Sequence, residues 1–360
     1  MEYYIFITND CNLNCKYCSV LLRTTEHTIP NHPVYSIDEL SHFIYNTQIS
    51  NRDECADIVF FGGEPTLDYP YIREIIQSGK EQLTPSFKVR YMLHTNGLLL
   101  GDIPEDILLQ IETVMLSINY NMVPHCNLDD GYFKTLTDSI RTIKRKKSIP
   151  VIGRLTITED TSLYSEIALF HNFFDAVYWQ LENCDYFSDY NKYYNTYKYE
   201  LELSFNLWLA YLKKGILLKF IPFIASACFA LNKEIPDSFC CGYNSSIVFI
   251  QTNGNCYTCA ENMTTSNNLI GNLQDGIQFE NFGLEDTKCA SCEYIHMCKG
   301  RCGRMHKEFS ENHIKEYCDL NKYLFDLILR ELPVIKSSID LFGLSLEMND
   351  PIYHYTEYTP

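Results

Sequence analysis

From Tyr3 to Leu181 one pattern recurs six times: a short apolar run of strand length, a break, then a stretch with helical spacing. The runs are Tyr3–Thr8, Asp57–Phe61, Val89–His94, Val114–Asn119, Val151–Thr158 and Ala176–Leu181. Helical stretches cover 36–46, 104–112, 132–146 and 163–174, the first opened by the capping box Ser36-Ile37-Asp38-Glu39. Strands that alternate with helices join as parallel neighbours through right-handed crossovers. The expected architecture is therefore α/β, most simply a partial (β/α)6 barrel of TIM type. Ligands in such barrels sit at the C-terminal strand ends, where Cys11, Glu64, Ser117 and Gln180 fall.

Directly after the first run, Asp10-Cys11-Asn12-Leu13-Asn14-Cys15-Lys16-Tyr17-Cys18 spaces three cysteines as C-x3-C-x2-C. A loop this short converges three thiolates on one point. Three soft ligands fit an iron–sulfur cube with one iron left open. A structural zinc site closes with four ligands, and the next candidates, His27 and His32, lie outside the tight spacing. After the second run comes Gly62-Gly63-Glu64-Pro65. Its glycines allow close backbone approach to a ligand and Glu64 can accept from an ammonium group, although alone the motif is also an ordinary tight turn.

Strand, cysteine spacing with Tyr17 before the third cysteine, and Gly-Gly-Glu-Pro one strand later together resemble the signature of radical S-adenosylmethionine (SAM) enzymes. The resemblance implies a [4Fe–4S] cluster on Cys11, Cys15 and Cys18 whose open iron chelates the amino and carboxylate groups of SAM. One electron then cleaves SAM to a 5′-deoxyadenosyl radical, and the protein supplies orientation, electron delivery and protection from quenchers. It also implies that Gly62, Gly63, Glu64 and Pro65 hold the SAM amino group, and that Ser117 and Arg154 reach its carboxylate or ribose. Asn96 and Gln180 are further polar residues at strand ends. Each has a plainer reading: Ser117 as a small barrel residue, Arg154 as an ion pair with Glu182 or Glu64, the two amides as satisfied core groups.

Composition limits the partners. A formal charge of −17 argues against a nucleic-acid or anionic-membrane surface, and the basic run Arg141–Lys147 reads as the solvated end of a helix. With no membrane-length apolar run and no signal-peptide pattern, the expected location is cytoplasmic. In that reducing compartment sixteen cysteines point to metal ligation rather than disulfides. An oxygen-sensitive cluster makes an anaerobic or microaerobic host the expectation.

Beyond Ala225 come Cys241, Gly254 and Cys259, then Cys289, Cys292, Cys298 and Cys302 as C-x2-C-x5-C-x3-C, and Cys318. The series resembles the SPASM extension of radical SAM enzymes, with a zinc ribbon as runner-up for this segment. The resemblance implies two auxiliary [4Fe–4S] clusters, three clusters in all. One would use Cys241, Cys259 and Cys302, the other Cys289, Cys292, Cys298 and Cys318. The fourth ligand of the first is Cys228 by preference, with Cys240, Cys256 or an open site as alternatives. The expected organisation is a barrel over 1–185, a bridge of surface tyrosines and a helix over 186–225, a small cysteine-rich α+β SPASM domain over 226–325, and a C-terminal helix and tail over 326–360. Within the SPASM segment, Ile247–Gln251 and Asn255–Cys259 form a hairpin around Thr252-Asn253-Gly254. A helix from Tyr317 ends near Leu332, before Pro333.

Relatives with this extension mostly act on residues in peptides or proteins. The first expectation is a maturase of a ribosomally made peptide that installs a thioether or carbon–carbon cross-link, fed by flavodoxin or ferredoxin. Ten residues precede Cys11, so leader recognition is expected from a separate partner protein or the second domain. A sulfatase maturase making formylglycine is the alternative, but Ala260 stands where that group has a basic aspartate, and Glu261 is one residue later. A peptide epimerase needs a thiol donor, for which Cys126 and Cys184 are candidates against the plainer reading of inert buried thiols. A non-catalytic iron–sulfur carrier is the remote alternative, and the intact Gly-Gly-Glu-Pro speaks against it.

Overall fold

The computed structural model describes all residues except 16, 19–28, 119–129, 262, 264, 265, 347, 349–352, 354 and 355. It resolves two compact units, Met1–Val151 with Asn244–Asn281, and Ile152–Tyr243 with Phe282–Pro360. In chain order the first unit contributes β1 (Glu2–Thr8), α1 (Ile37–Asn51), β2 (Cys55–Gly62), α2 (Tyr69–Ser78), β3 (Lys88–Thr95), α3 (Glu105–Leu108), β4 (Ile111–Ser117) and α4 (Asp130–Lys146). The second adds β5 (Val151–Ile157), α5 (Leu163–Phe170), β6 (Ala176–Leu181), α6 (Tyr190–Leu212) and α7 (Ile221–Asn232). The chain then returns to the first unit with β7 (Ile247–Ile250), β8 (Asn255–Tyr257), β9 (Leu269–Asn272) and β10 (Gly276–Ile277). It finishes in the second with α8 (Ile295–Cys298), α9 (Gly303–Glu308) and α10 (Glu311–Phe342).

In the first unit the strand order is β10-β9-β8-β7-β1-β2-β3-β4. From β7 to β4 every pairing is parallel, with Ile5 opposite Phe60 and Ile58 opposite Tyr91. Ile5, Phe6, Ile7, Ile58, Val59, Phe60 and Met92 have no exposed surface. Burial on both faces explains why these strands read as continuous apolar runs rather than alternating ones. The capping box forms as expected, with Glu39 N donating to Ser36 Oγ at 3.1 Å and Ser36 N to Glu39 Oε2 at 2.8 Å. Its helix α1 continues to Asn51 and closes on Arg52 at φ 58°. The stretch expected as a helix over 104–112 is helical only at Glu105–Leu108, because Ile111 already pairs with Tyr91 in the sheet.

The hairpin expected in the SPASM segment is present as β7 and β8, and Gly254 at φ 85° makes the turn. It does not stand with the later cysteines: β7 runs parallel to β1, with Tyr3 opposite Val248, so residues 244–281 extend the sheet of the first unit. The structure thus divides the chain differently from sequence boundaries at 185, 225 and 325. Apolar strand edges seek a partner, and β1 offers one on its open side.

The second unit corrects two expectations. The tyrosine-rich stretch is not a polar linker: α6 starts at Tyr190 on the Asp189 cap, and Tyr193 and Tyr197 are 5% and 2% exposed. Tyr197 Oη accepts from Trp179 Nε1 at 3.3 Å. These rings are buried because tyrosine brings large apolar area with one polar tip that finds a partner. Nor does Pro333 end the last helix, which runs on to Phe342. Pro333 faces solvent while Ile335 and Ser338 beyond it are buried, so packing of the last turns offsets a missing backbone bond. Helix α7 has no polar stripe because nearly all of it is buried. Among the described residues no helix is long and apolar enough to cross a membrane.

Replacing Tyr197 with alanine is expected to cost about 3–5 kcal/mol in denaturant unfolding. Tyr199→Ala, at a residue 63% exposed, is expected to stay within about 0.5 kcal/mol.

Candidate functional site

The loop that carries Cys11, Cys15 and Cys18 leaves the C-terminal end of β1, and the turn after β2 holds its root. Gly63 N donates to Thr8 O at 2.8 Å and Glu64 N to Asp10 O at 2.9 Å. Contact is so close that no side chain fits between the two segments. A Cβ on Gly62, which sits at φ 132°, would lie 2.3 Å from Thr8 O, and one on Gly63 would lie 2.3 Å from Asp10 O. The close approach these glycines permit is to the cysteine loop's own backbone. On the other side Asn9 Nδ2 reaches Pro30 O, Gln251 Oε1 and Thr252 Oγ1 within 2.9 to 3.1 Å, which ties the end of β1 to the β7–β8 hairpin.

Glu64 has no exposed surface. Its Oε1 accepts from Thr66 N, Thr66 Oγ1 and Thr95 Oγ1, and its Oε2 from Asn96 N at 2.7 Å. Burial raises the pKa of this carboxyl, and the four donors pull it back toward the ionised form. A carboxylate offers about four acceptor positions, two on each oxygen. Oε1 takes three of these donors and Oε2 one. Pro65 opens the short 3-10 turn Pro65–Asp68 that Glu64 caps.

Asn96, in the turn after β3, joins the cysteine loop. Its Nδ2 donates to Asn12 Oδ1 at 2.8 Å and stands 3.9 Å from Cys11 Sγ. Ser117 Oγ, at the end of β4, is 2.8 Å from His94 Nε2, whose ring packs on Phe61. Thr66, Thr95, Asn12 and His94 were not among the sequence candidates. Thr95 adjoins Asn96, and Asn12 lies within the cysteine motif, but only the fold shows what they touch.

Three thiols on this loop suit a cube rather than a closed tetrahedral site. Cys11 is exposed and Cys15 and Cys18 are partly so. Leu13 N donates to Cys11 Sγ at 3.4 Å, and a turn from Cys15 O to Cys18 N, 3.1 Å, curls the loop back. Tyr17 lies in that turn, half-buried. Cys18 packs beside Phe6, Tyr257 and Met263. Cys126 falls outside the described residues.

In the second unit, Arg154 on β5 donates to Gln180 Oε1 on β6 and to Thr156 Oγ1. The described polar partners of this guanidinium are an amide and a hydroxyl, not the carboxylates of Glu64 or Glu182. Cys184 Sγ is 3.4 Å from Tyr317 Oη, and burial pushes its pKa up.

Five of the later cysteines line one pocket, and one of the five also pairs with Cys241. Cys289, Cys292, Cys298, Cys302 and Cys318 line a pocket of about 490 Å³, counted with its open mouth, together with Arg301, His306, Tyr317 and Asn321. Burial and the neighbouring Cys289 and Cys318 push the Cys298 thiol well up, so without metal it holds its proton. His306 Nε2 stands 3.4 Å from Cys289 Sγ. Among the described residues no three His, Cys, Asp or Glu side chains converge at the spacing of a single ion. Cys241 and Cys302 form the pair: the Cys241 thiol donates to Cys302, raising its own pKa and lowering that of Cys302.

The remaining candidates have other surroundings. Cys259 follows β8 in the first unit, and Glu261 O there accepts from Asn268 Nδ2. Cys228 Sγ, on α7, accepts from Asn232 Nδ2 at 3.5 Å. Cys240 Sγ donates to Glu357 O, and Cys256 Sγ to Gly254 O at 3.9 Å.

Because the Gly63 contacts are all backbone, Gly63→Ala is expected to displace the cysteine loop, and anaerobic reconstitution should then yield about four fewer irons per chain than the parent. Thr66→Ala, which removes one donor to the buried carboxylate, is expected to keep its iron and lose about 1–3 kcal/mol in unfolding.

Residues 5–158 match the family described as the Radical SAM superfamily. The chain is similar to the radical SAM cyclopropyl synthase TigE of Paramaledivibacter caminithermalis, 24% identical over 374 residues that span 93% of this chain and 75% of the relative. It is similar in structure to polyhistidine-tagged anSMEcpe with bound AdoMet, at TM-score 0.68 and 17% identity over 92% of this chain and 99% of that one. The same holds for native anSMEcpe with bound AdoMet and Kp18Cys peptide, at TM-score 0.66, 16% identity and the same coverage. At these identities the structural likeness establishes the fold, an α/β partial barrel. The three-cysteine loop locked to the Gly-Gly-Glu turn lies within residues 5–158, the part of the chain that matches the Radical SAM superfamily.

Proposed function

We propose that this radical SAM protein is a maturase of a ribosomally made peptide, removing hydrogen from a peptide residue and closing a thioether or carbon–carbon bond. The observation that carries the reading is the coexistence of two thiol sets: three on the loop after β1, and five lining one pocket of the second unit. When bound at the open iron of a [4Fe–4S] cluster, SAM supplies a carbon radical by one-electron reductive cleavage. Cys11, Cys15 and Cys18 hold that cluster. Gly63 and Glu64 fix the root of their loop through Thr8 and Asp10, and Asn96 braces it through Asn12. Glu64 Oε2 offers an acceptor for the SAM amino group.

Forming a bond with loss of two hydrogens oxidises the peptide by two electrons. One leaves with the abstracted hydrogen atom, and the other needs an acceptor. Cys289, Cys292, Cys298 and Cys318 would hold one auxiliary [4Fe–4S] cluster, Cys241, Cys302 and Cys259 would contribute to a second, and such clusters would supply that acceptor. Closing a cyclopropyl ring, the activity in the name of the similar TigE protein, has this balance and makes a carbon–carbon bond. A separate leader-recognition protein and a flavodoxin or ferredoxin complete the system in this reading. Formylglycine formation is the weaker alternative, since Ala260 holds the position of the base.

Anaerobically reconstituted protein is expected to carry about twelve irons and to release 5′-deoxyadenosine from SAM with dithionite, an activity lost in Cys15→Ala. Mass spectrometry of peptides encoded beside the gene should show a loss of two hydrogens. An unchanged mass with deuterium uptake would mean epimerisation, formylglycine would mean sulfatase maturation, and a zinc-filled protein without SAM cleavage would end the reading.

A further inference from the structure

Arg301 lies between Cys298 and Cys302 and takes φ 48°, a left-handed conformation that costs nothing for glycine and strains an arginine. It is 8% exposed. Its guanidinium is spread over oxygens from several elements of the second unit. Nε donates to Pro360 O at 2.5 Å, Nη1 to Asn183 Oδ1 at 3.1 Å and Nη2 to Leu181 O at 3.3 Å. Nη1 also contacts Met305 Sδ, and the group lies over the Tyr317 ring, 4.6 Å from its centroid. None of these partners is a side-chain carboxylate. A permanent cation has thus been taken out of water and held rigidly, with the charges of Cys302 and Glu357 acting on it.

The pocket that Arg301 lines is also lined by Cys289, Cys292, Cys298 and Cys318, with Cys302 next to Arg301 in the chain. Four thiolates on a cube with two positive charges leave a net charge of about −2, and reduction makes it about −3. A fixed cation stabilises the more negative state more, and burial weakens the screening between them.

We propose that Arg301 raises the reduction potential of the auxiliary cluster held by Cys289, Cys292, Cys298 and Cys318, and so makes it the readier electron acceptor. The proposal rests on the auxiliary-cluster reading. Its alternative is a mechanical role, with Arg301 only clamping residues 181, 183 and 360 together.

The test uses full-length protein in which Cys11, Cys15 and Cys18 are alanine, so that only auxiliary sites take iron. The reduced signal lost on Cys318→Ala identifies the cluster, and redox titration followed by electron paramagnetic resonance reads its midpoint. Arg301→Met is expected to keep its iron and to titrate at a lower potential, with Arg301→Lys recovering most of the shift because charge is restored without the clamp's geometry. Asn183→Ala, which frees one arm of the guanidinium, should give a smaller downward shift. An unshifted midpoint in iron-replete Arg301→Met overturns the proposal. So does loss of iron in both Arg301→Met and Arg301→Lys if Asn183→Ala keeps its iron and the parent midpoint, since the geometry of the guanidinium and not its charge is then what the site needs. If the triple-alanine parent binds no iron at all, the auxiliary-cluster reading itself fails, an outcome distinct from either result on Arg301.

Discussion

Two backbone hydrogen bonds, from Gly63 and Glu64 to Thr8 and Asp10, join the turn after β2 to the loop after β1. Everything in the first unit's site depends on this contact, because it converts two parallel strands into a platform for three thiols. Its tolerance is small. Backbone oxygens stand 2.3 Å from where a Cβ would be on either glycine, and backbone cannot rotate away as a flexible side chain can. The buried carboxylate of Glu64 extends the platform by collecting Thr66, Thr95 and Asn96, and Asn96 returns to the loop at Asn12. Hydrogen bonds to an ionised group are stronger than those between neutral partners, and burial leaves them no competing water.

The second unit solves a different problem. Burial there pushes the Cys298 and Cys318 thiols up, since it disfavours thiolate. In the proposed auxiliary-cluster reading, iron would replace those protons and couple the unit's stability to metal binding. Arg301 is likewise a charge set into the interior, held by main-chain and amide oxygens.

Much of the first unit was legible in the chain. Parallel strands buried on both faces announce themselves as apolar runs, and the Ser36–Glu39 box marked a helix start because capping is local. Local signals failed where burial came from elsewhere. Tyrosines at 193 and 197 look polar in sequence, yet Trp179 and neighbouring rings bury them. Pro333 looks like a stop, yet packing at Ile335 carries the helix past it. Strand β7, far along the chain, pairs with β1 because a sheet edge is open there, and no local pattern encodes so distant a partner. Of the candidate site residues, the cysteines stood out by spacing and Glu64 by its motif, whereas His94 beside Ser117 and Thr95 beside Glu64 are contacts across strands.

What the chain alone determined is its chemistry: three thiols at C-x3-C-x2-C, a glycine pair before an acid, and a later cysteine series, all set by covalent spacing within short segments. Only the folded structure decided what those segments meet. It turned the glycines toward the cysteine loop, closed the Glu64 carboxylate over its own hydroxyls and amides, and ringed one pocket with Cys289, Cys292, Cys298 and Cys318 beside an arginine. Spacing acts over a few bonds, while close packing and desolvation act between atoms that only the fold brings together.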